Sequence, residues 1–509
     1  MKSFRIYITF FKLMLLLAVC TITAVSCDDN DSFSTSYINE FTASRDTICL
    51  DTVFSKVPSA SKKVMLYNRS GDGIRITSIR QEKGAAKSGF RVNVNGMFIN
   101  PDENNTISTE IEFRKGDSIR VWAELTSVKE NGTKTPERID DKVLFNLESG
   151  RQQYIALRAW TWDADTLQDH VLTKDSVIDN VDGKPLIVYG TFTVNPNVTL
   201  TVNAGSTIYF HQDGELDVKG KLLIKGEKDK KVVMRCDRLD SLLQLKYDEI
   251  PGKWRGITFE KSSVGNEIQY MDLHGAEYGI LCDSSEYTSL DDIPLKLTMT
   301  HSSIMNVSGN GLETIGSKVI LENCLIANAS GYCLTATGGD VSVNSSTLAS
   351  FYGYTSSRKY ALRMSDYVTT EKQTPLKFNM RNSIVTGYAD DQVFWYPLNK
   401  EATNNTILLR NSYLRTPDPT DDYSKKMLQD NLYDANTAED LRGKYLFLAV
   451  NDNGTDFIYD FTPKPTTPVV KAADAESSAK DDILGKARKA SPDMGCYETD
   501  EIPETSDKK

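Results

Sequence analysis

Apolar positions recur with a period of 22 residues between Ser302 and Ala349. Ile304, Ile326 and Leu348 lie 22 apart, as do Leu312 and Leu334, Val319 and Val341, and Leu321 and Val343. Each unit holds two or three short apolar runs separated by Asn, Ser and Gly, as in Ser317–Asn328 and Gly339–Ser350. A unit of this size cannot bury an apolar face by itself, so the units must stack, about 4.8 Å apart, to make a core. The pattern predicts successive coils of a parallel β-helix. Upstream, the runs at Leu186–Tyr189, Phe192–Val194, Leu200–Val202, Ile208–Phe210, Leu216–Val218 and Leu222–Ile224 read as its first coils, punctuated by glycines such as Gly205 and Gly220. Leu273 to Ile304 spans 31 residues, Leu348 to Val385 spans 37 and Val385 to Leu414 spans 29. Residues beyond one coil must leave the stack as lateral loops, the usual place for recognition.

A different period governs the earlier chain. Val64 and Leu66, Ile74 and Ile76, Phe90, Val92 and Val94, Ile119 and Val121, Val143 and Phe145, and Ile155 and Leu157 alternate with polar residues, with turn clusters such as Asn68–Gly73 between them. Alternation of two with frequent turns predicts an immunoglobulin-like antiparallel β-sandwich over residues 39–163. The β-helix is expected over 164–424. An Asp-rich linker, Asp163–Gly183, joins the two. Asp179 and Asp182 lack the spaced oxygen ligands of a calcium loop, so this reads as a solvated turn. Residues 425–498 begin with a helix-like stretch, Lys425–Arg442, and are expected to cap one open end of the stack. Residues 499–509 are charged and read as a disordered tail.

The N-terminus changes the picture of where the protein works. Lys2, Arg5 and Lys12 precede the apolar stretch Leu13–Ile22, followed by Ala24, Val25, Ser26 and Cys27. An apolar run this short after basic residues reads as a secretory signal, residues 1–26, and not as a spanning helix. Small residues before a cysteine look like a bacterial lipobox, which implies lipidation of Cys27 and a membrane anchor. Residues 27–38, with Asp28, Asp29, Asp31 and several serines, form a tether. The balance of 70 acidic against 59 basic residues, net charge −11, argues against a nucleic-acid partner. Cys49, Cys236, Cys282, Cys324, Cys333 and Cys496 show no metal-ligand spacing, so no metal or cofactor is expected and calcium is not indicated. Cys324 and Cys333 occupy apolar coil positions and are expected in the core. Oligomeric state is not legible.

Candidate chemistry is sparse. His301, Asn323 and Ser345 stand one coil apart, and stacked polar residues at a turn are expected to form a hydrogen-bonded ladder. Asp272, Glu277 and His274 are close in sequence, and Glu313 and Glu322 lie on later coils, without a paired-carboxylate motif. The best recognition candidates are the aromatics of the two long insertions: Phe351, Tyr352, Tyr354 and Tyr360, then Phe394, Trp395 and Tyr396. Aromatic faces suit the apolar C–H groups of sugar rings. Arg358, Lys359 and Arg363 in the same region suit uronate carboxylates.

Several blocks carry a resemblance: Asp46–Phe54, Leu66–Asn68, Gly89–Gly96, Arg158–Trp162, Leu200–Phe210, Trp254–Ile257 and Pro492–Glu498. In these the chain resembles exported right-handed parallel β-helix lipoproteins of Bacteroidetes, in the pectin-lyase-like superfold. The resemblance implies an all-β chain, a right-handed β-helix after the sandwich, lipid-anchored at the outer membrane and exposed on the cell surface. It transfers no reaction, because the superfold hosts lyases, hydrolases and binders. The expected function is therefore non-catalytic binding of a glycan or another extended polymer, through Phe351, Tyr352, Tyr354, Arg358, Tyr360, Trp395 and Tyr396. A polysaccharide lyase or glycoside hydrolase is the alternative, and an adhesin or structural scaffold the second.

Overall fold

The computed structural model describes residues 32–100, 104–108, 110–127, 134–181, 183–242, 245–355, 359–369, 372–399, 404–434, 443–452 and 457–500. The signal segment 1–26, Cys27, Arg358 and the tail 501–509 lie outside these residues. The chain is all-β and divides into two compact units, one drawn mainly from the residues before Thr161 and the other from those after it.

In the first unit, two antiparallel sheets face one another, and alternation decides which side chains meet. In Phe90–Val94, Phe90, Val92 and Val94 are buried while Arg91 and Asn93 are not. The same holds for Val64 and Leu66 in Lys62–Asn68, and for Ile119 and Val121 in Ser118–Leu125, which pair antiparallel. Phe41 of one sheet meets Phe145 of the other, with ring centres 5.2 Å apart and edge to face. This packing is the sandwich that the period of two predicted.

In the second unit, the 22-residue period becomes parallel pairing in register. Ile304 pairs with Ile326 and Ile326 with Leu348, Leu312 with Leu334, Val319 with Val341, and Leu321 with Val343. Three parallel ladders run along the stack, one in an 11-stranded sheet and two in a 17-stranded sheet. The long strands Leu312–Glu322 and Leu334–Asn344 belong to two ladders each. They turn the corner between ladders at Gly316 and at Gly338 and Gly339, all at positive φ, where a side chain would be strained. The inward residues form one continuous apolar core from Leu172 to Leu414, with Cys324 and Cys333 fully buried in it. The expected excursions occur where the spacing exceeds one coil: Leu273 still pairs with Ile304, Leu348 with Val385 and Val385 with Leu414.

Two expectations are corrected. The stretch Lys425–Arg442 is not one helix. A short helix, Asp422–Met427, is capped by the Asp421 carboxylate, which accepts from the Ser424 amide. Leu428–Gln429 and Leu432–Tyr433 then pair parallel with the preceding strands and add a further coil. The described residues after Gly443 that pack on the stack lie along its flank. Val469, Ile483, Met494 and Cys496 pack on Leu325, Ala327, Ala349 and Ile384, on the outer face of the 11-stranded sheet, where the small alanines leave room.

The column His301, Asn323 and Ser345 forms the expected ladder only in part, Asn323 Nδ2 lying 3.3 Å from His301 Nε2. Together with Tyr270, Asn382 and Asn411 it occupies the left-handed region at one corner of successive coils from Tyr270 to Asn411, a conformation that asparagine tolerates best. Its side chains chiefly hold the flanking segment. Asp481 Oδ1 lies 3.0 Å from His301 Nε2, Arg488 donates to Asn323 Oδ1 at 2.9 Å, the Ala479 amide to Ser345 Oγ at 3.1 Å, and the Asp474 amide to Asn382 Oδ1 at 2.9 Å. The stacked ladder sits one residue later. Ser302, Ser346, Ser383 and Ser412 each accept from a backbone amide of the preceding coil and donate to the carbonyl two residues before themselves.

Candidate functional site

The insertion after Leu348 divides the predicted aromatic cluster among three environments. Phe351 is fully buried, edge-on to Tyr388 and Phe447, and Tyr352 is only 4% exposed. Neither offers a face to a ligand; both pin the insertion to the stack. Trp395 is turned away from these and is half-buried, lining a separate cavity with Asp391, Asp421 and Tyr423. Alternation along Val393–Tyr396 turns Val393 and Trp395 toward the core, and the Trp395 indole N–H donates to the Tyr423 hydroxyl. Tyr354 stacks on Phe457 with ring centres 4.3 Å apart and planes 4° from parallel, while its hydroxyl donates to the Glu249 carbonyl at 2.9 Å.

The remaining members come together on the outer face. Arg363 pairs in register with Phe394, and Ser365 with Tyr396, so Arg363, Phe394 and Tyr396 project away from the core residues Leu362 and Met364. Tyr360 stacks on Phe394 at 3.8 Å, Phe394 on Tyr396 at 5.6 Å, and Tyr332 lies 6.4 Å from Tyr360. The Arg363 guanidinium sits over two rings, 5.9 Å from Tyr332 and 5.6 Å from Tyr396. Among the described residues it makes no ion pair. Three successive coils thus present a strip of rings with one arginine. Tyr332 was not singled out from the sequence. Its signal was available: Tyr332 and Tyr360 each stand two residues before an inward leucine, Leu334 and Leu362.

A second constellation gathers residues that are far apart in sequence. Asp272 and His274 project from Met271–His274 on the outer face of the 11-stranded sheet, and Asp248 reaches them from the loop after Leu245–Lys246. His274 Nδ1 lies 3.2 Å from Asp272 Oδ1 and Nε2 lies 3.1 Å from Asp248 Oδ2. Arg235 pairs with the same Asp248 oxygen at 2.9 Å, and Ser303 donates to Asp272 at 3.2 Å. Trp254 backs the group, stacking on Phe210 and donating its N–H to the His274 carbonyl at 2.9 Å. Burial alone would lower the His274 pKa, but the hydrogen bonds and charges of the two aspartates outweigh it and hold the imidazolium up to about 9. Burial would raise both carboxyls; the His274 hydrogen bond, with the Arg235 charge for Asp248 and the Lys231 charge for Asp272, holds them below the ordinary carboxylate range.

Asp248, Asp272 and His274 line a cavity of about 600 Å³ whose other walls include Lys246, Glu249, Met305, Asn306, Phe457, Ile458 and Tyr459. Glu277, adjacent in sequence, does not line it; Glu313 accepts from Asn310 and Glu322 from Asn344. A glycosidase-type pair needs one carboxyl held protonated beside an ionised one. Asp248 and Asp272 are both shifted the other way. Among the described residues no group of three His, Cys, Asp or Glu side chains is placed to hold a metal ion.

No family model matches the chain, and no curated protein does. Among solved structures it is similar over 73% of its length to the Agl-KA catalytic domain, covering 69% of that chain at 12% identity with a TM-score of 0.27. It is similar over 75% of its length to Dex49A from Penicillium minioluteum, covering 74% of that chain at 9% identity with a TM-score of 0.19. The Vibrio cholerae VesB protease matches 25% of the chain at 12% identity and a TM-score of 0.16, and the chain spans only 33% of that protein. At these TM-scores none of the likenesses carries a fold or an activity to this chain.

Proposed function

We propose that this protein is a lipid-anchored surface protein whose right-handed β-helix binds an extended glycan without turning it over. The observation that carries this reading is the strip Tyr332, Tyr360, Phe394 and Tyr396 with Arg363. Ring edges and exposed faces suit the C–H surfaces of pyranoses. A guanidinium that, among the described residues, is engaged by aromatic rings and no carboxylate is ready for a planar, bidentate carboxylate such as that of a uronic acid. Coils spaced about 4.8 Å apart repeat that surface over about 10 Å, which suits a polymer more than a small metabolite. The absence of turnover is supported by the charge state of Asp248 and Asp272, neither of which is held as a general acid. In this reading Cys27 carries the lipid, residues 27–38 are the tether, and the immunoglobulin-type sandwich is a spacer.

A glycan array on the protein lacking residues 1–27, joined to a depolymerisation assay on pectins and host glycans, tests the function. Binding without products, weakened at least tenfold by Tyr396→Ala or Arg363→Ala, is expected. New unsaturated or reducing ends would establish the lyase or hydrolase instead, and binding to no glycan would leave the adhesin or scaffold. The anchor is tested separately: radiolabelled palmitate should enter the wild-type protein in cells and fail to enter Cys27→Ala.

A further inference from the structure

The His274 cavity is lined by groups whose hydrogen-bonding capacity the protein itself leaves unfilled. Asp272 gives one carboxylate oxygen to His274 and Ser303, and its side chain, which lines the cavity, stays 36% exposed. The Asn306 carbonyl oxygen accepts from Asn328 at 3.2 Å, whereas its amide nitrogen meets no partner among the described residues. Acceptor and donor belong to adjacent coils of one sheet face, since Met271–His274 pairs with Ser303–Val307. Phe457, stacked by Tyr354 on one ring face, lines the same cavity beside Ile458.

Charge narrows the choice of ligand. The carboxylates of Asp248, Asp272 and Glu249 are paired with Arg235, the His274 imidazolium and Lys246, the last 3.1 Å from Glu249, and the Lys231 charge that also acts on Asp272 lies outside the lining. An open-sided cavity of about 600 Å³ whose lining carboxylates are each already paired, with an open acceptor, an open donor and an aromatic side chain, fits a ring rich in hydroxyl groups. An ionised ligand would have to break one of the internal pairs, leaving its partner uncompensated.

We propose that this cavity is a second binding site, separate from the aromatic strip, that takes a neutral sugar ring or another cyclic polyol of that size. Asp272 accepts from ring hydroxyls, the Asn306 amide donates to one, and Phe457 packs on the C–H face. His274 is a positioning residue that fixes both carboxylates. The site stands whether or not the strip binds a polymer, because no residue is shared.

The test uses the full chain with labelled methionine methyl groups and a panel of neutral monosaccharides, with galacturonate and glucosamine as charged counterparts. At least one neutral sugar should shift the Met305 methyl signal, assigned through Met305→Leu, and bind measurably by calorimetry. Phe457→Ala should weaken that binding at least tenfold. Ile458→Trp, at a position 56% exposed and therefore tolerant of substitution, should block it. Phe98→Ala, on the exposed surface of the sandwich, should leave it unchanged. The proposal is overturned if no neutral sugar moves Met305, if binding survives Ile458→Trp, or if the charged sugars bind more tightly.

Discussion

The two uninterrupted coils between Ser302 and Ala349 and the interrupted coils on either side use the same scaffold for different ends. In the uninterrupted coils nearly every side chain is buried, turns carry Asn, Ser and Gly, and few long side chains face outward, Ile320 and Tyr332 among them. The interrupted coils contribute most of the aromatic strip and, from the loop around Asp248 and from Asp272 and His274, much of the His274 cavity, which Phe457, Ile458 and Tyr459 of the flanking segment complete. The difference teaches where the energy and the chemistry reside. Regular coils supply stability through repeated burial, while excursions supply the side chains that a 22-residue unit has no space to present.

That division can be broken or sharpened by substitution. The largest loss of stability is expected on the flank that fastens the regular coils. Arg488 is almost fully buried, donates to Asn323 and to the carbonyls of Asp493 and Gly495, and faces Glu498. Arg488→Met should cost about 3–5 kcal/mol, since it takes one of two cationic partners, the other being Lys489 at 3.8 Å, from the buried Glu498 carboxylate and leaves the Asp481, Asp493 and Gly495 carbonyls short of a donor; chemical denaturation would show this as a lower midpoint. Ile326→Ala, in the middle of the regular stack, should cost about 2–5 kcal/mol, with the spread set by how far neighbouring coils collapse into the space. If either variant is as stable as wild type, the regular coils are not the source of stability.

A smaller effect depends on pH and belongs to the interrupted side. His274 is raised from 6.5 to about 9, so its contribution is complete below about pH 6.5 and disappears as pH rises through about 9. Asp248 and Asp272 are lowered from 3.8, so theirs is present above that value and lost on acidification below it. Thermal stability should therefore decline between pH 6.5 and 9 in the wild type, and His274→Gln should remove that part of the slope. An unchanged slope would detach the imidazolium from both carboxylates. The smallest effect on stability is expected at the strip: Tyr396→Ala, at a position 37% exposed, should change unfolding by no more than about 0.5 kcal/mol while reducing glycan binding. A large loss of stability there would mark the strip as part of the core.

The sequence alone determined the repeat, the register and the alternation of the sandwich, because burial acts on every coil and strand and writes itself at a fixed spacing. Ile304, Ile326 and Leu348 are aligned by the same arithmetic in the chain and in space. It also marked the insertions from their lengths. What only the tertiary structure decided is which inserted side chains face outward and what they meet. Phe351 and Tyr360 look alike in sequence, yet one is enclosed by the flanking segment and the other joins Phe394. Asp248 reaches His274 from a loop with no period, and Arg488 finds Asn323 across 165 residues. Such contacts depend on where separate segments happen to dock, a choice made by packing and pairing of charges that leaves no regular trace along the chain.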